Sequence, residues 1–152
     1  MTNRWEQPRS DGAALRHTRR AMSQGNVEIV RQIYAEGLLD SADGHAQLAS
    51  SLKEYVNPPD AVVPGVRRGE EVADALRSLR DAFEEQHCRL VKAYDAGSAV
   101  VAQVVFSARG ATSGAAARHE EAHTWTFDDG RPVRFEWGRD LGEALNAVGL
   151  EE

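Results

Sequence analysis

The stretch His119–Leu150, HEEAHTWTFDDGRPVRFEWGRDLGEALNAVGL, decides how this 152-residue chain folds. Strand side chains alternate between faces, so His119, Glu121, His123, Trp125 and Phe127 share one face of a first arm, opposite Glu120, Ala122, Thr124, Thr126 and Asp128. Asp128-Asp129-Gly130-Arg131 is a turn signal in which Gly130 supplies the positive φ of a tight hairpin. Pro132 suits a strand start, where no ladder donor is needed. The second arm resumes the alternation, with Val133, Phe135 and Trp137 against Arg134 and Glu136. A face carrying two tryptophans and two phenylalanines is too large to leave wet, so helices or a second sheet must cover it. From Leu141 the pattern becomes that of a short closing helix.

The cover lies upstream. Val27, Val30, Tyr34 and Leu38 recur at helical spacing from about Ser23, with Ser23 or Asn26 as cap, and Glu28, Arg31, Gln32 and Glu36 lie opposite. A shorter helix is predicted over Ala46–Val56, ended by Asn57-Pro58-Pro59-Asp60. Ala61–Val66 reads as an edge strand or rim loop. The clearest helix is Gly69–Phe83, with Val72, Leu76, Leu79 and Phe83 on one face and Glu70 and Glu71 in the first turn, where the helix dipole favours negative charge. Cys88–Tyr94 and Ser98–Arg109 are predicted strands around an Asp95-Ala96-Gly97 turn, and Gly110–Ala117 a loop. Three helices, four strands and a terminal helix predict an α+β fold, a curved, largely antiparallel sheet wrapped around the N-terminal helices.

The length and 41% hydrophobic content suit one domain, 23–150, behind a charged, flexible tail, 1–22, in which Met22 is an alternative start. A net charge of −6 argues against a nucleic-acid surface. Cys88 is the only cysteine, which excludes an internal disulfide and a cysteine zinc cluster and fits a reducing cytoplasm. No apolar run approaches the roughly 18 residues of a membrane span, so no membrane partner is expected.

VVAQVVFSARGATSG, AHTWTFDDGRPVRFEWGRD and EALNAVGL, in this order, resemble the SnoaL-like branch of the nuclear-transport-factor-2-like superfamily over roughly Gly25–Leu150. The resemblance implies a cone-shaped α+β barrel with a deep apolar pocket for a small apolar molecule, and a homodimer through the sheet. Tyr34, Phe106, His123, Trp125, Phe135 and Trp137 are then the expected pocket residues, with Arg109 and Arg139 at its rim. It implies little about chemistry, because that fold hosts isomerases, cyclases, epoxide hydrolases and proteins with no known catalysis. One departure is Gly138, where many members carry an aromatic residue; it predicts a wider mouth or a bulge that re-aims Arg139 and Asp140.

His119 and His123 are four strand positions apart, roughly 13 Å, too far to ligate one metal ion, and neither metal nor cofactor is expected. His123 is either a general base or hydrogen-bond donor to a ligand, or a buried histidine satisfied by one partner. Glu121 shares its face and is a candidate to orient it, against a separation along the strand of roughly six or seven ångströms. The resemblance implies for Tyr34 the place where ketosteroid-isomerase-like relatives of the fold put a phenolic donor to an enolate oxygen, with Asp60 or Asp140 as the aspartate base opposite; read by itself, Tyr34 is a core residue packed with Val30 and Leu38. Asp140 is a candidate base, or else the N-cap of the terminal helix, with Glu143 completing a capping box. The residues and the resemblance together leave three functions open: a SnoaL-type pocket protein doing acid-base chemistry on an apolar carbonyl or polyketide-like substrate, as an isomerase, cyclase or hydrolase; a non-catalytic binding or dimerisation module; and an interaction domain acting through its sheet.

Overall fold

Alternation around the Asp-Gly turn produces the hairpin that the pattern predicts. Strands β5 (Ala116–Asp128) and β6 (Arg131–Gly138) are joined by Asp129 and Gly130, both at positive φ, the two-residue primed turn whose twist matches its flanking strands. The computed structural model describes residues 8–61 and 63–151. Within them the chain runs α1 (Pro8–Ala35), α2 (Ala42–Ser51), β1 (Glu54–Asn57), β2 (Gly65–Arg68), α3 (Glu70–Ala82), β3 (Phe83–Asp95), β4 (Ala99–Gly110), β5, β6 and α4 (Leu141–Ala147). The strands form one sheet in the order β2-β1-β6-β5-β4-β3, antiparallel except for the β1–β6 pair. The α+β class with a curved sheet over helices is therefore the observed architecture.

Each face of the sheet has its own apolar layer. Val100, Ala102, Val104 and Phe106 of β4 join Trp125, Phe127 and Phe135 in the main core, under Val27, Val30, Ile33 and Tyr34 of α1 and Val72 and Leu76 of α3. On the opposite face Val101 and Ala122 are buried beneath α4, whose Leu145 is fully covered. This explains why β4 is hydrophobic at nearly every position while β5 alternates more cleanly.

Several boundaries differ from expectation: the sheet has six strands, not four, and Phe83, expected to end the third helix, opens β3, which starts ahead of the expected Cys88. Of the expected tail, residues 1–7 lie outside the described residues, and from Pro8 the chain is already part of α1; proline is tolerated in a first turn because its missing N–H has no intrahelical acceptor there. Ser23 and Asn26 are thus not caps. Ser23 Oγ donates to Asp95 Oδ2 at 3.0 Å and Asn26 Nδ2 to the Gly97 carbonyl at 3.3 Å, tying α1 to the β3–β4 turn. The second helix starts at Ala42, capped by the Ser41 side chain, and stops at Ser51. Tyr55 and Val56, expected in that helix, lie in β1, because pairing with both β6 and β2 outweighs local helical spacing.

Gly138 makes no bulge. It pairs with Ala122, and the register shift falls between Thr126 and Phe127. Open space surrounds the position of its missing Cβ, and it borders the outer-face depression beside α4, so it has no part in the mouth of the inner cavity.

Candidate functional site

Residues His119, Glu121 and His123 project from one face of β5 by strand alternation, and β4 and β6 beside them contribute Phe106, Phe135 and Trp137. With Leu39, Tyr55, Leu79, Phe83, Cys88 and Arg139 they enclose a cavity of about 160 Å³. Its wall is apolar apart from the β5 triplet, the Tyr55 hydroxyl, the Cys88 thiol and the Arg139 guanidinium.

The two histidines are joined by a carboxylate. His119 Nε2 lies 2.7 Å from Glu121 Oε2, and His123 Nε2 lies 2.8 Å from Glu121 Oε1. An ionised carboxylate only accepts, so each Nε2 carries the hydrogen. Nδ1 of His123 is then an acceptor, and the Tyr34 hydroxyl donates to it at 2.6 Å while accepting from Trp125 Nε1 at 2.9 Å. Burial raises the pKa of Glu121, but the hydrogen bonds from His123 and then His119 outweigh it and hold the carboxyl below its usual range. Among the described residues, no group of three or more His, Cys, Asp or Glu is arranged to hold a metal ion.

This chain of bonds rearranges the roles read from the sequence. Tyr34 and Trp125 do not line the cavity: they stand behind His123, with the Trp125 side chain fully buried, and lock its ring. Both nitrogens of His123 are engaged, so the group with acceptor capacity left for a ligand is Glu121. Phe106, His123, Phe135 and Trp137 do line the cavity. Arg139 is at its edge, whereas Arg109 donates to the Gly114 carbonyl at 3.1 Å in the β4–β5 loop, away from it. Asp140 accepts from the Glu143 backbone N–H at 3.0 Å as N-cap of α4, and it borders the outer-face depression instead.

Tyr55 is the residue that sequence reading missed. Helical spacing placed it in the core, but in β1 its 4% exposed side chain faces the cavity, with its ring 5.3 Å from Phe135. Burial, then the charge of Glu121, pushes its pKa far up, so the hydroxyl keeps its proton. The one available signal was the strand-favouring pair Tyr55-Val56 just before Asn57-Pro58.

Solved structures share this architecture. A putative SnoaL-like polyketide cyclase from Jannaschia sp. CCS1 is similar at 17% identity and a TM-score of 0.64, covering 85% of this chain and 94% of that one. A nuclear-transport-factor-2-like protein from Burkholderia thailandensis E264 is 24% identical, with a TM-score of 0.62 over 76% of this chain and 90% of its own. A putative polyketide cyclase from Acidithiobacillus ferrooxidans is 18% identical, with a TM-score of 0.59 over 82% and 94%. No curated protein matches the sequence. No helix among the described residues is long and apolar enough to cross a membrane. Residues 14–135 match the SnoaL-like domain, and with the fold agreeing over the same elements, the chain belongs to the SnoaL-like family.

Proposed function

We propose that this protein takes a small, mostly apolar carbonyl compound of polyketide-like type into the cavity and catalyses proton transfer beside the carbonyl. The observation that carries the reading is one ionised carboxylate, fixed by two imidazoles, on an otherwise apolar wall. Glu121 accepts the proton from the carbon next to the carbonyl. Tyr55, the protonated phenol on the same wall, donates a hydrogen bond to the oxygen that becomes an enolate. Returning the proton to another carbon makes an isomerase; attack of the enolate carbon on a second carbonyl of the same molecule makes a cyclase. His119 and His123 are positioning residues that keep Glu121 ionised and aimed. A volume of about 160 Å³ suits one ring, and the rest of a larger substrate extends through the mouth.

The test is exchange of the α-hydrogens of 2-tetralone in D2O, followed by proton NMR. Wild type exchanges faster than buffer, Glu121→Gln loses about 10²–10⁴-fold, and Tyr55→Phe loses a smaller factor. Exchange no faster than buffer overturns the catalytic reading.

The saturation of His123, with both nitrogens bonded inside the protein, favours a second reading, a binding module without catalysis. It predicts that 2-tetralone binds with no exchange.

A further inference from the structure

The same cavity carries an indication of what kind of molecule enters it, and this step rests on its being a ligand site. Among the described lining residues, Arg139 is the only guanidinium or ammonium group, and Glu121 is the opposing charge. Glu121 is almost covered, with a side chain 9% exposed; Arg139 is half-exposed. Beyond Arg139 the cavity continues into a wider depression of about 490 Å³ that shares Tyr55, Leu79, Phe83 and Trp137 with it.

Arg139 is held in place but not used up. Its guanidinium carbon lies 5.5 Å from the centre of the Trp137 ring, and Trp137 is fixed in turn by its indole N–H donating to Asn57 Oδ1 at 2.7 Å. Its Nε donates to Asp60 Oδ2 at 3.3 Å; among the described residues the two terminal amino groups have no partner. Those amino groups are the ones that grip a carboxylate in forked geometry. The present partner is easily displaced, because an exposed ion pair with one long contact contributes little.

We infer that Arg139 is an anion receptor at the mouth, so that the ligand is a compact apolar carboxylate bound with its ring inward and its charge outward. Glu121 enforces that polarity. An anionic head at the buried end meets a like charge with no cation beside it among the described lining residues, whereas at the mouth it meets the Arg139 guanidinium, with Arg67 set against Asp60, Glu71 and Asp74 in the depression beyond. The apolar end of the molecule is thereby presented to Glu121, where proton transfer takes place.

The test compares phenylacetate with its neutral isostere phenylacetamide, titrated into the full chain at low salt with the Trp137 indole N–H as NMR probe. Wild type binds phenylacetate about tenfold more tightly, the value of one good charge-assisted bond. Arg139→Gln abolishes the preference and keeps phenylacetamide binding, which also shows the cavity intact. Asp60→Asn widens the preference by removing the competing carboxylate. Arg67→Gln, at the other arginine of the wider depression, leaves the preference unchanged. Equal affinities in wild type, or a preference that survives Arg139→Gln, overturn the inference and leave the cavity reading standing. Failure of both compounds to bind overturns both.

Discussion

The Tyr34 hydroxyl sits 2.6 Å from Nδ1 of His123, deep in the molecule and behind the cavity wall. A residue of the first helix is thus wired to the middle of the fifth strand, and the same oxygen takes the indole N–H of Trp125. The consequence is that the orientation of Glu121, two hydrogen bonds further along, depends on a tyrosine outside the cavity lining.

Tyr34→Phe leaves both the Trp125 N–H and the His123 Nδ1 lone pair unpaired in the core. A loss of about 1–3 kcal/mol is expected in denaturant unfolding, the cost of stranding a buried polar group. Proton exchange should fall much less than in Glu121→Gln, because the base itself remains.

Acid stability carries a signature of the carboxylate bridge. The folded pKa of Glu121 is below its ordinary value of 4.5, so its contribution is complete above that value and is lost as pH falls through the lower folded one. Glu121→Gln therefore flattens the acid side of the stability profile measured by thermal unfolding between pH 6 and pH 3. An unchanged slope shows that the bridge does not favour the ionised form.

Asp140 is the site candidate that the structure moves elsewhere. Asp140→Ala should cost about 1 kcal/mol by uncapping α4, with no change in phenylacetate affinity or proton exchange. Lost exchange at full stability is the contrary result.

Cys88 lines the cavity, yet its thiol is buried, and burial followed by the charges of Asp40 and Glu121 pushes its pKa far up. Alkylation by iodoacetamide at pH 8 should be far slower than for a free thiol, which reacts as thiolate. Phenylacetate in the cavity should slow it further.

Gly44 approaches the backbone of Leu38 so closely that a Cβ there overlaps the Leu38 carbonyl and Cα. Gly44→Ala, conservative on paper in a helix, should destabilise by about 1–3 kcal/mol through overpacking and shift the neighbouring Leu39–Asp40 segment. Thermal unfolding measures the first, and the reactivity of Cys88, whose backbone N–H donates to Asp40 Oδ1 at 2.9 Å, reports the second.

Local rules carried the sequence a long way. Alternation alone placed His119, Glu121, His123 and Trp125 on one face, the Asp129-Gly130 pair set the hairpin, and helical spacing identified the faces of α1 and α3 that cover it. The shared face of Glu121 and His123 was legible for the same reason, since strand geometry depends only on neighbours in the chain.

What needed the tertiary structure is whatever depends on partners distant in sequence. Tyr55 entered the cavity because β1 pairs with β6, some eighty residues away, and no local pattern registers that pairing. Tyr34 and His123 were each recognised as candidates, but whether they face a ligand or each other is decided by how α1 lies across β5. The proposed chemistry passed to Glu121 on that account. Periodicity tells a side chain which face to take, and only packing tells it what is waiting there.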